Sequence, residues 1–226
     1  MAESASDPHG LHDWHSADYV ADWIGNDRTN DADRRPLLRQ VAKFCAFDPD
    51  AKVRVLDVGG GYGMLSGEIL DEWPNAHVVL HDFSAPMFDH ARQRLARFED
   101  RLSFHQGDLR DSAWVDGLDG PFDAVVSSLA IHNVREPAAI KQIYADIFPL
   151  VASGGSFLNI DIIGPAGRLT MKSYGRRSNK PYERRPRDPM APTLANQMQW
   201  LLDIGYDEAD CLARVDWQTV LAGFRA

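Results

Sequence analysis

The feature that most constrains this chain is the passage from Val53-Arg-Val-Leu-Asp-Val58 straight into Gly59-Gly-Gly-Tyr-Gly63 and then into the stretch from Met64 to Trp73. The first run is short, β-branched and apolar, and reads as a buried strand. In the last, Leu65, Ile69, Leu70 and Trp73 recur at helical spacing. A strand that becomes a helix across so short a turn needs backbone at positive φ. It also lets a ligand approach the main chain closely, and glycine permits both.

The same alternation continues downstream. Strands are expected at His77–Asp82, Leu102–His105, Phe122–Ser127 and Ser156–Asp161, the last entered through a turn at Gly154-Gly155. Between them the spacing predicts a helix capped by Ser84, with Pro86 in its first turn, running to Phe98. A short helix is expected around Trp114, and another over Pro137–Leu150. Strands alternating with helices imply βαβ units, and therefore a parallel sheet covered by helices on both faces. The last third departs from this pattern. After a Gly-, Pro- and Arg-rich excursion over 164–192 and a helix over Leu194–Ile204, Glu208–Arg214 and Trp217–Phe224 read as two strands joined by a tight turn. Such a turn permits only antiparallel pairing. The expected fold is thus a three-layer α/β sandwich, Rossmann-like, on a mostly parallel seven-stranded sheet that ends in an antiparallel hairpin strand.

Residues 10–48 precede the sheet, and their apolar positions (Trp14, Tyr19, Val20, Trp23, Ile24, then Leu37, Leu38, Val41, Phe44, Phe47) fit two amphipathic helices. We expect a helical cap over 1–48 folded above the carboxyl ends of the strands, where ligands bind in open α/β sheets, and one globular unit over 49–226. The length of 226 residues suits one domain with such additions. No apolar run approaches the roughly 20 residues that span a bilayer. The opening residues hold neither a basic nor an apolar leader region, and two cysteines at 45 and 211 make no framework, so a cytoplasmic protein is expected.

Three strand ends offer groups for a single nucleoside ligand. Asp57 precedes the glycines, and Gly59, Gly61 and Gly63 complete the form DxGxGxG. Asp82 closes the next strand, suited to accept hydrogen bonds from two ribose hydroxyls. Gly107-Asp-Leu109 follows the third, where a carboxylate and an apolar side chain flank an adenine ring. Each has a purely structural alternative: Asp82 as a helix-capping acid, Asp108 as a turn aspartate, Phe83 and Met87 as core. A nicotinamide fingerprint fits less well, because Gly61-Tyr-Gly-Met-Leu-Ser66 places serine at its third small position. A P-loop is excluded, since no GKS or GKT follows the glycines.

In this ordered set the chain resembles the class I S-adenosylmethionine-dependent methyltransferases, across Leu37 to Ala226. Asp57 to Gly63 resembles the family's first motif, Asp82 its ribose-binding acid, Phe83 and Met87 its adenine wall, Asp108-Leu109 its adenine-amino pair. Phe122 to Ser128 resembles the strand ending beneath the sulfonium, which implicates Ser127. Gly205 to Phe224 is similar to the family's closing hairpin. The resemblance implies S-adenosylmethionine as cofactor, S-adenosylhomocysteine as product, and a small-molecule methyl acceptor. A cofactor-binding regulatory module without turnover and an RNA methyltransferase are the alternatives.

Methyl transfer is an in-line displacement, so the protein mainly aligns the nucleophile and excludes water. Where the nucleophile must lose a proton, His132 in Leu129-Ala-Ile-His-Asn133 is the candidate base and Asn133 a substrate-orienting group; capping or turn roles are the alternatives. Tyr19 is a candidate for the cofactor's methionine end or for core packing. His9, His12 and His15 recur at spacing three, which is a helical spacing in a terminal segment; no cluster of acids resembles the metal site of magnesium-dependent catechol-type methyltransferases, and no metal is expected. The net charge of −9 argues against sequence-blind nucleic-acid binding. Residues 168–187 nonetheless carry eight basic residues and one acid, either a solvated loop or a lure for an anionic acceptor. Monomer and homodimer both remain open.

Overall fold

The computed structural model describes residues 12–27, 31–164, 192–215 and 218–226, together with positions 167, 169, 170 and 173. The strands are β1 (Val53–Val58), β2 (Ala76–Asp82), β3 (Leu102–Gln106), β4 (Phe122–Ser128), β5 (Val151–Ile162), β6 (Glu208–Val215) and β7 (Gln218–Phe224). The helices are α1 (Ala17–Asp27), α2 (Asp31–Phe44), α3 (Met64–Glu72), α4 (Ala85–Arg94), α5 (Pro137–Ile147) and α6 (Leu194–Ile204). The strands form one seven-stranded sheet in the order β3-β2-β1-β4-β5-β7-β6. The first five are parallel, whereas β7 pairs antiparallel with both β5 and β6. The chain begins mid-sheet at β1, runs outward to β3, and returns to β4 on the other side. The reversal leaves a crevice above the carboxyl ends of β1 and β4, the place where open α/β sheets bind ligands.

Side-chain alternation builds two cores. Val53, Val55, Ala124, Val126, Leu158 and Ile160 face α2 and α3. Leu56, Val58, Val125 and Phe157 face α5 and α6. Both sets are buried because parallel strands are covered on both sides. Helix α2 is also tied to α3 by charge, with Arg35 Nε 2.6 Å and Arg39 Nε 2.9 Å from the nearly buried Glu68 carboxylate.

Three expected elements differ in extent. The helix capped by Ser84 stops at Arg94, and Ala96–Arg101 continues as a 3-10 turn. The tighter winding turns Leu95 and Phe98 onto Leu80 and Phe88 beneath them. It also delivers Arg101, whose guanidinium donates to the carbonyls of Leu70 in the last turn of α3, of Trp73 just after it and of Ala76 at the start of β2. The helix predicted to reach Leu150 is α-helical only to Ile147, with a 3-10 turn over Phe148–Leu150 around Pro149. Gly154-Gly155 is no turn before a strand but a bulge within β5. The register jumps from Phe122↔Val151 to Ala124↔Ser156, and the extra residues keep the strand in the sheet. Among the described residues no helix is long and apolar enough to cross a membrane.

Gly63 shows what the glycine turn demands. It begins α3 at φ 82°, and a Cβ there would lie 2.6 Å from Leu95 Cδ1. Gly63→Ala combines a left-handed alanine with overpacking against α4, so urea unfolding should show a loss of about 2–4 kcal/mol.

Candidate cofactor and acceptor site

A cavity of about 400 Å³ opens above the carboxyl ends of the strands, and the glycine turn forms its floor. The turn is held from β2. Gly59 N–H donates to His81 Nδ1 (3.3 Å), Gly60 N–H to the His81 carbonyl (2.8 Å) and Gly61 N–H to Asp82 Oδ2 (2.9 Å). His81 accepts on Nδ1 and stays neutral. Burial, then the neighbouring His105, pushes its pKa down to about 3.

Asp57 sits fully buried at the end of β1. Its Oδ2 accepts from Ser66 N–H (3.1 Å) and Ser66 Oγ–H (2.6 Å), which locks the start of α3 to the strand. Its Oδ1 is buried with no hydrogen-bond partner among the described residues, yet Asp57 lines the cavity. Burial raises this carboxyl to about 6 against the Ser66 hydrogen bonds, and Asp82 nearby adds to the rise. Asp82 is likewise raised to about 6, chiefly by burial, although Gly61, Ser84 and Phe83 amides oppose the shift. Its Oδ1 accepts from Ser84 N–H at 2.9 Å. With these backbone donors, the two Asp82 oxygens together still keep acceptor capacity for a ligand. The capping role falls to Ser84 itself, whose Oγ accepts from Met87 N–H (3.3 Å) and donates to the Trp14 carbonyl (2.6 Å).

Phe83, Met87, Asp108 and Leu109 all line this end of the cavity. Met87 also packs with Val20, Ile24 and Tyr62, so it serves the core as well. Asp108 closes a turn by accepting from Arg110 N–H at 3.0 Å and pairs with the Arg110 guanidinium. Burial works to raise this carboxyl, but the Arg110 hydrogen bonds and charge outweigh it and hold it below the usual carboxylate range. Gly59 and Gly61 line the cavity, while Gly63 stands beneath as the start of α3 and Ser127 is buried in β4, donating to the Val58 carbonyl at 2.8 Å. Tyr19 is not among the lining residues. Its hydroxyl meets His12 Nδ1, and its ring packs edge-on to Trp14. His12, Trp14, His15 and Trp23 supply the wall that the cap presents, with the His15 ring 5.3 Å from that of Phe83. The sequence signal for them was the aromatic density before the sheet. His9, the third of the spaced histidines, lies outside the described residues. So does most of the excursion 164–192, with the basic segment 168–187 inside it.

At the other end the wall comes from the link after β4. Leu129 (φ 53) and Arg135 (φ 68) adopt positive φ without being glycine. Such strain persists only where the surroundings fix it, here by Leu129 N–H bonding the Ile160 carbonyl at 2.8 Å. Between them His132 and Asn133 line the cavity. Asn133 Nδ2 donates to the Leu129 carbonyl at 3.3 Å. His132 Nδ1 lies 2.5 Å from Asp161 Oδ1, and His132 N–H donates to Asp161 Oδ2 at 3.1 Å. Burial would lower the His132 pKa and Arg135 pulls the same way, but the charge and hydrogen bond of Asp161 prevail and hold it above the ordinary imidazole value. Sequence reasoning missed Asp161. Its only signal was a carboxylate closing an apolar strand, the same signal that marked Asp82.

Residues 55–155 match the methyltransferase domain family. That stretch is therefore similar to a methyltransferase domain, as the glycine turn and the strand-end acids lead one to expect. It is 31% identical over 151 residues, covering 67% of this chain and 54% of the relative, to a demethylmenaquinone methyltransferase of Clavibacter sepedonicus. The chain thus spans about half the length of that curated relative. The fold is similar to that of an O-methyltransferase family protein from Burkholderia thailandensis, with a TM-score of 0.68 at 19% identity, covering 88% of this chain and 58% of that one. PigF, solved with S-adenosylhomocysteine, gives 0.67 at 17% identity over 99% of this chain and 63% of its own. S-adenosylhomocysteine, the ligand named with PigF, is the product form of the cofactor that the sequence motifs lead one to expect here.

The cavity fits that group on its own terms. Asp57 Oδ1 is an unpaired buried acceptor, Asp82 has lone pairs to spare, and a Cβ on Gly61 would meet nothing nearer than Met87 Sδ at 3.9 Å, so the space over the turn is open. Gly61→Ala is accordingly expected to cost no more than about 1–2 kcal/mol of stability while weakening cofactor binding by tenfold or more, read by calorimetric titration. Both carboxylates accept more strongly, and attract positive charge, when ionised, and burial pushes both up to about 6. Cofactor affinity should therefore fall as pH drops from 7.5 through 6 to 5, and hold steady above 7.

Proposed function

We propose that this chain transfers a methyl group from S-adenosylmethionine to a small-molecule hydroxyl, with His132 as general base. The observation that carries this reading is the His132–Asp161 pair at the acceptor end of the cavity. Asp161, almost fully buried, accepts a hydrogen bond from His132 Nδ1–H and so leaves the lone pair on Nε2. His132 lines the same cavity as the glycine turn. When bound, S-adenosylmethionine supplies a methyl on a sulfonium whose C–S bond breaks to leave a neutral thioether. The acceptor oxygen forms the new C–O bond and yields its proton to Nε2. Asp161 stabilises the imidazolium that results, and Asn133 holds the acceptor beside it. His12, Trp14 and Trp23 roof the cavity against water.

A small acceptor suits a cavity of about 400 Å³ that must also hold the cofactor. The relative in Clavibacter is named for such an acceptor, demethylmenaquinone. A reducing cytoplasm suits the two free thiols, Cys45 and Cys211.

Turnover of a panel of phenols and hydroxy acids, followed by release of S-adenosylhomocysteine, tests the reading. His132→Ala should lower kcat/KM by about 10²–10⁴ while the cofactor Kd stays unchanged. In the wild type, kcat should rise with pH through a midpoint above the ordinary imidazole value, since only the neutral ring accepts a proton. Full activity in His132→Ala would overturn the role of the base. An absence of cofactor binding at millimolar concentration would overturn the whole reading.

A further inference from the structure

The face of β5 that looks toward α5 carries Phe157, Asn159 and Asp161, related by strand alternation. Phe157 belongs to an apolar cluster with Tyr144, Ile147 and Leu221, and Asn159 beside it is fully buried. An amide in such a place costs free energy unless its polar atoms are used. Its Nδ2 is used twice, donating to the Tyr144 hydroxyl at 3.0 Å and to Asp161 Oδ2 at 3.4 Å, while its Oδ1 has no hydrogen-bond partner among the described residues. The Tyr144 hydroxyl donates in turn to Gln197 Oε1 (2.5 Å), and Gln197 Nε2 donates to the Pro192 carbonyl (3.2 Å). Burial and the nearby Asp161 charge keep the Tyr144 hydroxyl protonated, so it remains a donor. An unbroken line of hydrogen bonds thus runs from the backbone before α6, through α5 and β5, to the carboxylate that holds His132.

We propose that Gln197, Tyr144 and Asn159 are positioning residues which fix the Asp161 carboxylate against His132, so that the base is aimed from behind by a chain outside the cavity. The inference rests on the reading of His132 as the base. Four donors converge on Asp161: Ile162 N–H (2.8 Å) and His132 Nδ1 on Oδ1, His132 N–H and Asn159 Nδ2 on Oδ2. Three of them come from Ile162 and His132: two backbone amides, which set the carboxylate's position along β5 and the turn after β4, and the ring itself. Among the described residues Asn159 is the side-chain donor on the face away from the ring, and its contact is the longest of the four. Tyr144 is what keeps that amide from rotating away. The titratable or charged groups facing the pair are few: Asp161 from β5, Arg135 from the turn that carries His132, and Tyr144 from α5, itself beside Tyr206.

The test reads the pair directly. An imidazole Nδ1–H held by a carboxylate gives a proton resonance far downfield, observable in the full chain without acceptor. Asp161→Asn, which should abolish it, assigns the signal. Tyr144→Phe keeps the ring in the core and removes only the hydroxyl; Asn159→Ala removes the amide. Both should move the resonance upfield and broaden it. Both should also lower kcat about tenfold, with cofactor Kd and KM near the wild-type values, as expected for a misaimed base. A residue that served only packing would lower the melting temperature and leave the resonance in place. An unmoved resonance in folded Tyr144→Phe overturns the proposal, even if Asn159→Ala fails to fold. A resonance that moves while His132→Ala keeps its activity overturns instead the base reading on which the chain depends.

Discussion

Everything at the ligand end of this molecule depends on the grip of β2 on the glycine turn after β1. Three successive amides, Gly59, Gly60 and Gly61, bond to His81 and Asp82 at the end of the neighbouring strand. A glycine-rich turn left to itself is a flexible link with a large entropy to lose. Here its polar groups are matched to the strand that also carries the Asp82 carboxylate, and Asp57 locks the first turn of α3 from the other side. The turn is therefore rigid where a ligand must lie against bare backbone. Stability and binding geometry come from the same bonds.

The two halves of the cavity use burial to opposite ends. At the glycine turn, burial is only partly offset, and Asp57 and Asp82 are pushed up to about 6. At the acceptor end Asp161 is as deeply buried but receives four donors. It keeps His132 above its ordinary value although burial alone would lower it. A carboxylate left partly unpaired attracts a positively charged ligand. One that is saturated with donors has no spare capacity for a ligand and acts instead on the ring it holds.

Much of this was legible in the sequence, for reasons that are physical. The alternation of β-branched runs with helical periodicity fixed the order of elements, because parallel strands covered on both faces leave little choice of pattern. The acids at 57, 82 and 108 stood out because a strand end is where a carboxylate is not needed for the sheet. The end of α4 was not legible. Nothing in the composition of 95–101 breaks a helix, and the 3-10 turn follows from where Phe98 and Arg101 find partners far away in the chain. The bulge at Gly154-Gly155 looked like a turn, since both need the same residue. Asp161 and the line behind it were hidden for another reason. Tyr144, Asn159 and Gln197 are each unremarkable alone, and only packing of α5, β5 and α6 joins them.

The raised carboxylates also set a direction for the coupling of folding to binding. Between the ordinary value of 3.8 and about 6, folded Asp57 and Asp82 hold protons that the unfolded chain releases. Across that window their contribution to stability falls as pH rises, and above it the ionised pair weighs against the ligand-free fold. A ligand whose positive charge and hydroxyl donors meet those two acids binds the ionised form and offsets that weight. The cofactor site is thus strained by its own charge when empty of donors and relaxed when supplied with them. An affinity gained in this way needs no movement of the glycine turn, which the β2 amide bonds hold in place throughout.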